Sequence, residues 1–323
     1  MVQGLNAADE RFLAALSRND ERLDRAQREA TSGRRISAAS DHPDEVSAVL
    51  SARASLEQTL QIKLNLARAD TEASTAEQSL GNAVLLLDRA ATIGVQGATE
   101  TQAPEQRATI GIEVATILEQ LVSIAATQVE GRYIFSGDRD NAVPYTTVQP
   151  PALPDGTVPD LDVSAYGGSS ATRQIMHPNG TRFDIAQTAE QIFDAPGASV
   201  FQAVMHLRDA LKNGPTVPSD DPDYPAQYHA QTLAIDAALA EVRAARTQVS
   251  ASVAFYGVAQ NRVDEATSFA SKLELRQREQ LSMVQDTDIV SAAIELSQAL
   301  NQREASLTAR ARMKNESLFN YLG

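Results

Sequence analysis

Four histidines, His42, His177, His206 and His229, are the side chains of this 323-residue chain best suited to proton transfer or metal binding. No two stand four apart on a common helix and none lies in an HExxH context, so a histidine zinc site is not written into the spacing. There is no cysteine, which removes thiolate metal ligands and disulfides together. Acids gather in SDDPDYP (219–225) and QDTDI (285–289), but the first lacks the alternating ligands and distal Glu of a calcium loop and reads as a solvated turn. The YGGSS cluster (166–170) reads as a turn, and no G-x-S-x-G, P-loop or dinucleotide fingerprint is present. Asn179-Gly180-Thr181 matches a glycosylation acceptor, yet an Asn-Gly between RQIM and TRFDI is accounted for by a hairpin turn. Arg18, Arg22, Arg25 and Arg28 interleave with Asp20, Glu21, Asp24 and Glu29, the pattern of a salt-bridged helix face. No enzyme, metal or cofactor chemistry is expected.

What remains is the chemistry of apolar surface. The chain closes with SLFNYLG, and large apolar side chains cost roughly 1.5–3 kcal/mol each when left in water instead of being buried. Upstream, Ile289, Leu300, Ala311 and Leu322 recur every eleven residues, as do Leu296, Leu307 and Leu318. Eleven residues make almost three straight helical turns, so these positions trace one apolar line to the end of the chain. Near the other terminus Leu5, Phe12, Leu16, Leu23, Ala26 and Ala30 share a helix face that Gly33 ends. Amphipathic helices of this kind hold their shape by packing. Pairing the first and last arms still leaves part of each stripe open, so the pattern favours packing against neighbouring copies over a closed monomeric bundle.

The elements that carry these stripes are set out by proline. Eleven of thirteen prolines lie between Pro144 and Pro225, leaving two helix-permissive arms around a helix-hostile middle. In the first arm, Ser40 and Asp41 precede Pro43, Asp44 and Glu45 as a helix start, and a seam through Val49, Leu56, Leu60, Ala69, Leu80 and Leu87 runs toward Pro104. Pro104 opens a third helix striped by Ile110, Val114, Ile117, Leu121 and Ile124, expected to end near Gly131, where RYIFSG reads as a short strand. Helical pattern resumes at SVFQAVMHLRDALKNG, and from residue 226 onward there is no proline. The expected fold class is mainly α with a small β-rich insert, an elongated multi-helix coiled-coil bundle of paired N- and C-terminal arms. Its domains are drawn as residues 1–38 with 284–323 for terminal assembly, 39–135 with 202–283 for a helical bundle, and 136–201 for a small outer β domain.

Bulk properties restrict partners. A formal charge of -14 argues against nucleic acid and anionic membranes. NAVLLLDRAATIGV (82–95), read as the most apolar run, is broken by Asp88-Arg89 and is too short to span a bilayer, so no membrane insertion is expected. Asp9, Glu10 and Arg11 interrupt the apolar core that a cleaved secretory signal needs.

Three segments resemble one family. LSRNDERLDRAQREATSGRRISAASDHPDEV (16–46) is similar to the N-terminal signature of bacterial flagellins and their hook-associated relatives, YGVAQNRV (256–263) to their returning-helix motif, and QDTDIVSAAIELSQ (285–298) to the acidic start of their terminal helix. EGRYIFSGDRD (130–140) and the terminal SLFNYL are similar to the branch that joins hook to filament. His42 departs from a frequent Asp, and MVQGLN is an unusual beginning. The resemblance implies a structural subunit of the extracellular flagellum, exported unfolded through the flagellar type III apparatus and escorted by a cytoplasmic export chaperone. Its implied partners are copies of itself, the adjacent hook-associated protein and flagellin. The expected interface, with sister subunits or the chaperone, is Leu5, Phe12, Leu16, Leu23, Ile289, Leu296, Leu300, Leu307, Leu318, Phe319 and Leu322. Filament flagellin shares the arms and stays open as an alternative, and so does a cytoplasmic helical binding or scaffold protein.

Overall fold

The computed structural model describes residues 7–36, 43–99, 102–152, 154, 158–217 and 219–313. In chain order the elements are helices α1 (Ala7–Ser32), α2 (Pro43–Ala98) and α3 (Pro104–Ala125), then strands β1 (Gln128–Val129), β2 (Arg132–Tyr133), β3 (Thr147–Val148), β4 (Asp162–Val163), β5 (Gln174–Met176) and β6 (Arg182–Asp184). Helix α4 (Ala189–Phe193), strands β7 (Asp194–Ala195) and β8 (Ala198–Ser199), and helices α5 (Val200–Lys212), α6 (Tyr224–Gln285) and α7 (Ile289–Met313) complete the chain. Two compact units result, residues 1–60 with 272–323 and residues 61–271. The 56 residues of α2 and 62 of α6 agree with the proline-free reaches of the sequence.

In the terminal unit α1 packs against α7. Gly33, at φ +67°, terminates α1 in the left-handed conformation that a side chain disfavours. The reversed chain is then knotted to the α6–α7 turn: Arg34 bridges Asp286, the Gln285 carbonyl accepts from the Arg35 and Ile36 amides (2.8 and 3.2 Å), and the Thr287 amide donates to the Gly33 carbonyl (3.0 Å). Arg35 adds a two-pronged bond to the Glu45 carboxylate and a third to the Val284 carbonyl (3.0 Å), its guanidinium proton held more tightly by that carboxylate. This knot makes α1 and α7 lie side by side.

In residues 61–271, apolar stripes of α2, α3, α5 and α6 share one core through Leu80, Leu87, Leu118, Leu121, Leu207, Val242 and Val249. Among the described residues one helix, α3, is long and apolar enough to cross a membrane by length and composition, whereas the sequence reading placed the most apolar run at 82–95. Its Val114, Leu118 and Leu121 are buried in this core, which accounts for that composition. The helix also ends at Ala125, six residues before the expected Gly131. Gln128–Val129 instead pair antiparallel with Arg132–Tyr133 around a two-residue turn in which Glu130 (φ 52°) and Gly131 (φ 77°) are both left-handed, the geometry that suits the twist of a tight hairpin.

Beyond the β1–β2 hairpin the insert is three separate antiparallel pairs, β3–β4, β5–β6 and β7–β8, rather than one sheet. The Asn-Gly hairpin forms between β5 and β6, with Ile175 opposite Phe183, but its loop spans His177–Thr181: the His177 amide donates to the Thr181 carbonyl (2.7 Å) and Asn179 accepts from Thr181. Ile175 and Ile185 pack on Leu66, Val263 and Ala266. Aromatic rings hold the remainder to the helices, since Phe135 meets both Phe193 and Tyr256 edge-on (6.2 and 6.3 Å) and Phe193 stacks on Phe201 (5.5 Å). The Tyr256 hydroxyl accepts from the Gln187 amide (3.0 Å) and donates to its carbonyl (3.4 Å), while burial raises its pKa. That explains why a tyrosine opens the YGVAQNRV motif: it pins the insert to α6.

Candidate functional site

The described histidines make no catalytic or metal constellation. His177 accepts from the Asn179 amide and lies on Phe269, His206 pairs with Glu241 (2.6 Å), and His229 is exposed. His42 lies outside the described residues. Among the described residues no group of three or more His, Cys, Asp or Glu could hold a metal. A groove of about 700 Å³ lies between α2 and the β5–β6 hairpin. Its charged lining is Arg68, Arg182, Asp138 and the Arg173–Glu72 pair (3.0 Å), with neither histidine nor hydroxyl nucleophile placed beside a base. In SDDPDYP the Asp221 carboxylate accepts from the Asp223 amide to turn the chain into α6.

The α1–α7 pair is a different kind of surface. Its seam buries Leu23 and Ala26 of α1 and Ala292 and Ala299 of α7, while Phe12, Leu16 and Leu296 are half-buried. Large side chains beside the seam stay in solvent: Ile289 is 61% exposed, Leu300 45% and Leu307 48%. The expected stripe on α7 is therefore divided. Small alanines let the two backbones approach, and the bulky residues sit one step around the helix, exposed among the described residues. Leu5, Leu318, Phe319 and Leu322 lie outside the described residues.

Two polar features of the pair were missed. Asn19 is only 7% exposed, its amide donates to the Ala299 carbonyl (3.1 Å), and its Oδ1 has no hydrogen-bond partner among the described residues. The polarity of Asn hid it from a search for apolar spacing. The salt-bridged face expected on α1 does not form at Arg18, Arg22 and Arg25. Asp20 pairs across to Arg303 (3.3 Å) and Glu29 reaches Thr287, while among the described residues Arg18, Arg22 and Arg25 make no ion pair and line a notch of about 390 Å³ with Asn19, Glu21 and Gln302. Glu21 and Glu29 stand four residues to either side of Arg25, close enough to pair on a helix, yet no ion pair joins them to it among the described residues.

Helix α7 starts where QDTDI places its second Asp. Asp288 accepts from the Val290 amide (2.9 Å) and the Ser291 hydroxyl (3.0 Å), and these bonds, the hydroxyl first, lower its pKa below the ordinary 3.8. Since the folded value lies below the unfolded one, the cap contributes fully above the unfolded value and is lost as pH falls through the folded value. Asp288→Asn keeps an acceptor without the charge. The melting temperatures of parent and variant are expected to differ at neutral pH and to converge in acid below that range, and scans at several pH values check this.

Charge also separates the units. Residues 1–60 and 272–323 contain 15 basic and 17 acidic side chains, and residues 61–271 contain 13 and 25. Near-neutral termini can be packed closely against other copies, while the acidic remainder repels.

With these features in place, comparison with known proteins assigns the chain to a family. The sequence matches the bacterial flagellin N-terminal helical region over residues 5–140 and the bacterial flagellin C-terminal helical region over residues 239–322, together more than half of its length. The chain belongs to the bacterial flagellin family. Membership makes it a structural protein of the flagellum, in agreement with its apolar helix pair. The two flagellin regions contain the α1–α7 pair, the knot at Gly33 and the Tyr256 anchor. No curated protein matches the sequence. Among solved structures, the fold is similar to flagellar hook-associated protein 3 of Legionella pneumophila (TM-score 0.60, 14% identity, 73% of this chain and 98% of that one). It is also similar to the flagellar junction protein FlgL of the same organism (0.53, 15%, 68% and 99%) and to FlgL of Bacillus cereus (0.51, 20%, 73% and 100%). At these identities the likeness is one of fold.

Proposed function

We propose that this flagellin-family protein is the subunit that joins the hook to the filament, exported unfolded, escorted by a chaperone that shields α7, and assembled outside the cell through its terminal helices. The observation that carries the assembly reading is the stripe of Ile289, Leu300 and Leu307, left in solvent beside a seam closed by alanines. The junction reading is supported by the likeness in fold to hook-associated protein 3 and FlgL, and by EGRYIFSGDRD, whose Ile134, Phe135, Ser136 and Gly137 are buried behind the Glu130-Gly131 turn. Neighbouring copies, flagellin and the adjacent hook-associated protein are its proposed partners. Deleting the gene is expected to leave hooks without filaments and flagellin in the medium. The second reading, filament flagellin, is favoured by the two flagellin matches. Copy number separates them: a ring's worth per flagellum supports the junction, and thousands overturn it.

A further inference from the structure

We propose that the arginine notch on α1 receives Glu304 of a second copy, so that the terminal pair joins head to tail through two different flanks. The inference rests on assembly through α1 and α7 and specifies its geometry. At about 100° per residue, Gln302 lies roughly 70° to one side of the Ala292–Ala299 seam, and Leu300 and Leu307 about as far to the other. Gln302 borders the notch of Arg18, Arg22 and Arg25, which Glu21 also lines, and among the described residues these three guanidinium groups form no ion pair. On the opposite flank Leu300, Glu304 and Leu307 stand at i, i+4 and i+7, one face, and Glu304 is exposed and forms no ion pair among the described residues. One flank thus offers three arginines and one acid around a recess, a net positive site, and the other a single carboxylate framed by two leucines. Because these flanks are complementary and not identical, each copy uses one surface of its neighbour and leaves the other free, which propagates a ring or a helix where a symmetric contact would stop at a dimer. A neighbour seated in this way covers Leu300 and Leu307 while neutralising the notch.

Charge reversal tests this. Arg22→Glu and Glu304→Arg are each expected to reduce incorporation into flagella about tenfold or more, since like charges across an interface are strongly unfavourable. The monomers should melt as the parent does. The double variant Arg22→Glu/Glu304→Arg is expected to regain incorporation, and so is a mixture of the two single variants, because each supplies the charge that the other needs. Single variants that assemble normally, or a loss that neither the double variant nor the mixture repairs, overturn the contact. If Leu307→Asp blocks assembly in the same assay while these reversals do not, assembly through the helices stands and only this pairing falls.

Discussion

Leu307→Asp is expected to abolish incorporation into flagella while the isolated chain remains folded. Leu307 is 48% exposed on α7, so in the monomer an aspartate there stays hydrated and should change stability by no more than about 0.5 kcal/mol. Against a neighbouring copy the same carboxylate loses its water without gaining a partner, and an unpaired buried charge costs about 3–5 kcal/mol. That penalty recurs at every contact in a polymer. Circular dichroism and a denaturant titration of the purified chain, beside a count of incorporated subunits, check both parts. Normal incorporation of the variant would remove this face from the interface.

The second large effect lies far from that face in sequence. Phe135→Ala should destabilise residues 61–271 by about 3–5 kcal/mol, because it opens a cavity where Phe193 and Tyr256 meet a fully buried ring. Phe135 also ties the insert to the helices through its backbone: its carbonyl accepts from the Ala189 amide (2.7 Å) and the Tyr166 hydroxyl (3.2 Å). Burial pushes the Tyr166 phenol up to about 12, so this bond persists through neutral pH. A lower denaturant midpoint, with loss of the near-ultraviolet signal of the tyrosines, is the expected result.

The long helices were legible because proline exclusion and three-four spacing are local properties, and Pro43, Pro104 and Gly33 mark their ends in the sequence. The early end of α3 was not, since Gln128–Val129 continue a helical pattern and are drawn out of it by pairing with Arg132–Tyr133. The β character of residues 138–200 was visible in turn chemistry. Its division into three small ladders depends on which rings reach the helices, a long-range outcome that no short window contains. On α7 the eleven-residue spacing found the apolar residues but not their division between an intrachain seam and an open flank. That division follows from the small size of Ala292 and Ala299, against which α1 can close. Arg18, Arg22 and Arg25 were misread because helical spacing places acids within their reach but does not make the pairs form on a face open to water.

Since the chain contains no cysteine, a single Leu307→Cys substitution offers a clean probe of whether the open flank of α7 is covered only in the assembly. The rate at which a thiol reagent labels it should be measured in the dilute monomer and in intact flagella. Rapid labelling of the monomer and strong protection in the assembled structure are expected. Equal rates in both states would contradict the central claim.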